Sequence, residues 1–149
     1  MGSDQTFADF NQQIADAMVA SADQGGGLPK YLGVRLQEMT PGRLVAVMAI
    51  RPELITPVGA IHGGVMAGLV DHCLGCVLYP LMKPRQWAAT TEFKLNYLRA
   101  VKGGTLTAVS SVLSIGRRSA VVRVDVTNDG ALACVAQGTL LISDPPSTK

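Results

Sequence analysis

Charge is scarce in this chain: Asp, Glu, Lys and Arg make up 16% of its 149 residues, and the formal net charge is +2. That balance excludes the strongly basic surface of a nucleic-acid binder. The basic residues are scattered, with no interleaved aromatics on which bases could stack. Cysteine is rare and odd in number, three in all, which argues against a disulfide framework and fits a reducing cytoplasm. No Lys or Arg precedes Lys30, whereas Asp4, Asp9, Asp16 and Asp23 fall there, the reverse of a secretory leader. No internal repeat is visible. What is present is an apolar chain, 48% hydrophobic, long enough for one domain with a sizeable core. Such a composition leans toward an oligomer with a covered interface.

Acidic residues are scarcest where the chain is most apolar. The run IHGGVMAGLVDHCLGCVLYPLM, residues 61–82, holds a single one, Asp71. A lone carboxylate in an apolar interior costs several kcal/mol or more unless it is paired or hydrogen-bonded. Asp71 therefore points to a site rather than to core packing. The polar groups and glycines of this run argue for the buried helix of a soluble protein, not a membrane span. His62-Gly63-Gly64 stands where that helix begins. A helix's first turn offers free backbone N–H groups and the positive end of its dipole. One segment thus supplies amide donors and a carboxylate, the parts that acyl transfer needs.

The remaining pattern frames this helix with strands. Phe7, Phe10, Ile14, Ala17 and Met18 recur at helical spacing, which predicts a helix over 6–20 with Thr6 as its N-cap. Gly25-Gly26-Gly27 predicts a flexible loop, so that 1–28 is an N-terminal helix and loop. Strands are predicted at 33–40 and 43–50, joined at Pro41-Gly42. Pro52 and Pro57 lead into a helix at 63–80, which Pro80 and Pro84 close. Four more strands follow at 87–98, 104–115, 118–128 and 131–142. In the third, Ala120, Val122, Val124 and Val126 face one way while Arg123 and Asp125 face the other. Asn128-Asp129-Gly130 is a hairpin signal, and the tail 144–149 is expected to be disordered. The expected class is α+β: a curved antiparallel sheet wrapped around one long apolar helix, in one domain over 1–149.

With these residues in view, the chain resembles the hotdog-fold acyl-CoA thioesterases, in particular the phenylacetic-acid-degradation (PaaI-like) branch. The resemblance covers roughly 30–143. It rests on Gly59-Ala60-Ile61-His62-Gly63-Gly64, on Asp71 eight positions after Gly63, and on the strand Ala89-Thr90-Thr91-Glu92-Phe93-Lys94-Leu95-Asn96-Tyr97-Leu98. Gly116-Arg117-Arg118 and Val135-Ala136-Gln137-Gly138-Thr139 also resemble family positions. The resemblance implies that the Gly63 N–H polarises a thioester carbonyl and that Asp71 is nucleophile or general base. It implies that Thr90 helps hold the attacking water or the carboxylate, that His62 supports the thioester end, that Gly64 and Thr56 help bind the substrate, and that Arg117 and Arg118 contact coenzyme A phosphates. The family often carries Asn six positions before the motif His; here that position is Thr56, shorter but still able to hydrogen-bond. No cofactor is implied beyond the coenzyme A of the substrate.

Helix geometry adds an independent inference. Eight residues on a helix rise about 12 Å and turn about 80° relative to the start. A carbonyl needs both its oxyanion donor and its attacking group within about 3 Å. Gly63 and Asp71 of one chain cannot meet that, but two antiparallel copies about a two-fold axis can. A homodimer with interfacial sites is expected, possible pairs of dimers included.

Other features have plainer explanations. Cys73 and Cys76 form a C-x-x-C in mid-helix, whereas redox pairs of that spacing sit at helix N-termini, so both are expected as buried small hydrophobes. Asp71, His72, Cys73 and Cys76 do not converge on a metal, since adjacent helical residues point about 100° apart. Glu92 is an alternative carboxylate, though alternation places it with Lys94 and Asn96 on the polar face. Met66, Leu69, Leu74, Val77, Leu78 and Trp87 either line a pocket for a medium-chain or aromatic acyl group or form ordinary core. A non-catalytic acyl-CoA sensor on the same fold is the main alternative function, and a hydratase the third.

Overall fold

The protein is described here by a computed structural model, in which residues 7–21 and 25–146 are described. Six strands form one antiparallel sheet: β1 (Arg35–Thr40), β2 (Arg43–Ala49), β3 (Trp87–Tyr97), β4 (Thr105–Ile115), β5 (Ser119–Asn128) and β6 (Ala131–Ser143). Their order across the sheet is β1-β2-β4-β5-β6-β3. The sheet packs around the apolar helix Gly63–Cys76, which touches β2, β3, β4, β5 and β6. Two helices precede it in the chain, α1 (Gln12–Ser21) and the short α2 (Gly27–Leu32), so the central helix is α3.

Alternation in the strands builds the core. Leu44, Ala46 and Met48 of β2, Leu106 and Ala108 of β4, and Val122, Val124 and Val126 of β5 are all fully buried. They meet Met66, Leu69, Val70, Cys73 and Leu74 on one side of α3. Arg123 and Asp125 point outward from β5 and form an ion pair at 3.0 Å. The only buried polar side chain, among the described residues, is Ser110, whose hydroxyl donates to the Cys73 carbonyl at 3.3 Å and ties β4 to α3. The β5–β6 turn places Asp129 and Gly130 at positive φ (48° and 87°), the left-handed pair that a tight hairpin requires.

The N-terminal region departs from expectation. The helix begins at Gln12, and the cap is Asn11, whose side chain accepts from the Ile14 N–H at 3.2 Å. Asn is among the strongest N-caps, and a turn in which the Phe10 N–H donates to the Phe7 carbonyl precedes it. Thr6, the expected cap, lies outside the described residues. Gly27 is not loop but the first residue of α2, which Gly33 ends, with φ of 78° and its N–H on the carbonyls of Lys30 and Pro29. Beyond Cys76 the chain takes a single 3-10 turn at Tyr79–Leu81. At the other terminus Asp144 is held by the Gln86 amide at 2.7 Å, so order extends past the expected start of the tail; residues 147–149 lie outside the described residues.

The long apolar stretch Gly63–Leu81 has the length and hydropathy of a membrane span, yet half of it is buried within the domain. It is the core helix and its continuation.

Candidate active site

The N-terminus of α3 is fixed from several sides. Ile61 donates its N–H to the Val101 carbonyl at 2.8 Å, and His62 to the Leu54 carbonyl at 3.4 Å. His62 is the N-cap: its Nδ1 accepts the Gly64 N–H at 2.9 Å. That bond places the proton of the neutral ring on Nε2, which is left to face outward. Val65 donates to the His62 carbonyl at 2.9 Å. Of the amides from Ile61 to Val65, only that of Gly63 has no partner among the described residues. Gly64, expected beside it in binding substrate, has already committed its N–H to His62.

Tyr97 explains why position 63 is glycine. Its hydroxyl donates to the Gly63 carbonyl at 2.8 Å, tying the helix to the end of β3. A Cβ at Gly63 would stand 2.8 Å from that hydroxyl. Nothing in the sequence pattern signalled this bond, which spans 34 residues of chain.

Thr56 is turned inward. Its hydroxyl and its N–H both donate to the Ala60 carbonyl, each at 2.8 Å, and so close the loop before the helix. The shorter side chain at this position serves the turn.

Asp71 occupies the side of α3 turned away from the sheet. In the single chain it is exposed, which corrects the expectation of an interior carboxylate. The physical reason is that α3 is apolar on both sides, but only one side packs on its own sheet. Asp71 lines an open cavity of about 650 Å³ with His72, Gly75, Cys76 and Tyr79 from the helix side and Ala88, Thr90, Thr91, Glu92 and Phe93 from β3. Thr90 thus lines the same cavity as Asp71.

Thr91 and Glu92 join them, and β3 is not regular here. Thr90 pairs with Leu140 and Glu92 with Thr139, leaving Thr91 as an extra residue, a β-bulge. The Thr91 hydroxyl donates to the Thr139 carbonyl at 3.0 Å. Glu92 lines the cavity too, yet it stays with Lys94 and Asn96 on the exposed face of the strand, as the alternation predicts, directly after the bulge. Gly138 of β6 makes room for it: a Cβ there would lie 2.7 Å from Phe93 Cβ, 2.8 Å from the Glu92 carbonyl and 3.0 Å from Leu74. Gly138→Ala is expected to overpack this corner and cost about 1–3 kcal/mol, measured as a lower urea midpoint.

Electrostatics follow burial. Desolvation holds the His72 imidazole below its ordinary pKa, with the Asp71 charge opposing, so His72 is neutral near pH 7. His72 lies 3.5 Å (Nε2) from the Cys76 sulfur. Burial pushes the Cys76 thiol up to about 12 and the Cys73 thiol higher still, which leaves both protonated and unreactive, as small core hydrophobes should be. No cluster of metal-ligating side chains occurs among the described residues. Met66, Leu69, Leu74, Val77 and Leu78 are core, at 2% exposure or less, and none lines the cavity. Trp87 is half-exposed and also outside it.

Arg117 and Arg118 are exposed in the β4–β5 turn. Arg117 lines a separate cavity of about 490 Å³ with Phe7, Met82, Lys83 and Gln86. The turn lies at the end of the sheet where β3 begins: Ser119 and Trp87 pair with Leu141 and Ser143 of β6.

Residues 58–135, which hold Gly63, Asp71, Thr90 and the β4–β5 turn, match the Thioesterase superfamily. The chain belongs to that superfamily. It is similar to the putative esterase ComA2 of Bacillus subtilis, 29% identical over 77% of this chain and 93% of the relative. It is also similar to a 1,4-dihydroxy-2-naphthoyl-CoA hydrolase of Listeria monocytogenes, 23% identical over 78% and 95% of the two chains. Among solved structures, a thioesterase family protein from Silicibacter pomeroyi superposes with a TM-score of 0.79 at 23% identity, covering 87% of this thioesterase and 98% of that chain. The fold is therefore the hotdog fold, with its antiparallel sheet around one long helix, and the chain is an enzyme of the thioester-hydrolase class.

Proposed function

We propose that this thioesterase hydrolyses acyl-CoA thioesters to the free acid and coenzyme A, in active sites shared between two copies of the chain. One observation carries the reading. Gly63, whose N–H is unpartnered among the described residues, is held through its carbonyl by Tyr97 at the C-terminal end of β3, while the first half of β3 lines the cavity of Asp71. β3 is also a sheet edge, eleven residues long, hydrogen-bonded to β6 alone among the described strands. A long bare edge is a template for another strand. Antiparallel pairing of two such edges brings the end of one β3 to the beginning of the other. Gly63 of one protomer then reaches the Asp71 cavity of its partner, which the helix geometry within one chain forbids. A C2 pair gives two equivalent sites. Leu132 and Leu141 stand exposed on β6, apolar area that a second pair of chains would cover.

In that site the thioester oxygen accepts from the Gly63 N–H, at the positive end of the helix dipole. Asp71 acts by one of two routes. It takes a proton from water as the water oxygen attacks the carbonyl carbon, or it attacks that carbon itself to give a mixed anhydride that water opens. In either route the C–S bond breaks and the coenzyme A sulfur leaves as thiolate. Thr90 steadies the water or the carboxylate, and the outward Nε2–H of His62 adds a second donor at the thioester end. Thr56 and Gly64 hold the loop and cap that keep Gly63 in place. Arg117 and Arg118, at the sheet end where the partner's helix would arrive, suit the phosphates of coenzyme A. The bound acyl group is medium-chain or aromatic, as in the phenylacetic-acid-degradation branch. A reducing cytoplasm suits the three free, buried thiols.

The test is release of free thiol across a panel of acyl-CoAs, with sedimentation to establish the dimer. Tight binding without turnover would replace this reading with an acyl-CoA sensor. Tyr97→Phe is expected to lower kcat roughly fivefold, the worth of one hydrogen bond near 1 kcal/mol, with KM little changed and the melting temperature lower by a few degrees.

A further inference from the structure

The glycines of α3 are not alike. Gly63 is constrained by Tyr97, and Gly64 by His62 Nδ1, 3.0 Å from where its Cβ would stand. At Gly68 a Cβ would meet Leu32 at 3.1 Å and Leu28 at 3.3 Å, so packing against α2 accounts for it. Gly75 has no such reason. Nothing lies within 4 Å of its Cβ position, and its φ is not left-handed. It does not cap the helix either, since the C-cap is Val77 in the right-handed region. Glycine is among the poorest helix formers, and nothing in this chain's own packing calls for it here.

Position 75 has a distinct address. It is one turn beyond Asp71, on the same side of α3, and it lines the same cavity. Ala88, another small residue, lines that cavity from β3, and the rings of Tyr79 and Phe93 lie along it. Two small residues and two aromatic ones are the apolar part of a lining that also holds Asp71, Thr90 and Glu92. We infer that Gly75 is the residue that sets acyl size, and that its empty Cβ position admits a one-ring aromatic acyl group extending from the thioester carbonyl toward Tyr79 and Phe93. This rests on the acyl-CoA hydrolase site proposed above. Pantetheine then leaves the carbonyl on the other side, toward the arriving helix N-terminus.

The measurement is kcat/KM for benzoyl-CoA and for acetyl-CoA, by thiol release, in the wild type, Gly75→Ala and Gly75→Leu. The wild type is expected to favour benzoyl-CoA. The benzoyl-to-acetyl ratio is expected to fall in steps, by at least about tenfold in Gly75→Leu, as pockets discriminate by a few methylenes. Size-exclusion and melting curves check assembly and fold. If Gly75→Leu does not fold, Ala88→Val narrows the slot from the strand side and is expected to lower the same ratio. A wild type inactive on every thioester would overturn the hydrolase reading and this inference together. An active wild type that favours acetyl-CoA, or a ratio that stays constant across the variants, would overturn the role of Gly75 alone.

Discussion

Asp71→Asn is expected to lower thioester turnover by about 10²–10⁴-fold, the range for loss of a positioned general base, and by more if Asp71 is the nucleophile. The fold should barely notice. Asp71 is exposed on α3, makes no ion pair among the described residues, and is replaced by a near-isostere, so stability should change by no more than about 0.5 kcal/mol. The comparison that gives the result meaning is Glu92→Gln. Both carboxylates line one cavity, but Glu92 sits on a bulged strand that would itself be at the interface, whereas Asp71 is fixed by a helix packed into the core. The larger loss is expected at Asp71. A larger loss at Glu92, with melting temperatures equal, would transfer the carboxylate role to β3. A single turnover in heavy-oxygen water then separates the two routes: direct attack by water labels the acid alone, while a mixed anhydride opened at the protein carbonyl leaves the label on Asp71.

How much of this was visible in the residues can be told from particular positions. The six strands and α3 were readable, and β5 shows why: Val122, Val124 and Val126 turn inward and Arg123 and Asp125 outward, and the structure keeps that division. α2 was not readable, because six residues starting from Gly27 and containing Pro29 make too short a window for helical periodicity. The burial of Asp71 was misjudged for a related reason. Hydropathy reports that both sides of α3 are apolar, but not that one side lacks a partner within the chain. Alternation put Glu92 with Lys94 and Asn96 and the structure keeps it there, but the bulge at Thr91 just before it leaves no mark in the sequence. Tyr97 was invisible as a site residue because its role is a contact with the backbone of Gly63, not a motif.

The backbone at Gly63 allows a sharper experiment than the usual side-chain deletion. Gly63 is the first residue of α3, the position where proline is best tolerated, since the N–H it lacks has no helical partner there. The preceding residue is also compatible: His62 is extended, with φ of −66° and ψ of 139°, as a residue before proline must be. The proline Cβ would press on the Tyr97 hydroxyl, but that ring is half-exposed and can swing aside. Gly63→Pro should therefore keep the helix while deleting the one free amide, and lose about 10²–10³ in kcat, the worth of an oxyanion donor. Gly63→Pro and Asp71→Ala are then two inactive chains with complementary defects. When they are co-expressed with different tags and the mixed dimer is purified, one site pairs the intact Gly63 with the intact Asp71 and the other pairs both lesions. Shared sites thus predict recovery of about half of wild-type activity per dimer, because one of two equivalent sites is whole. Sites built within single chains predict none, since every chain in the mixture carries a lesion. That contrast, large against the background of either parent, decides whether the donor and the carboxylate belong to one chain or to two.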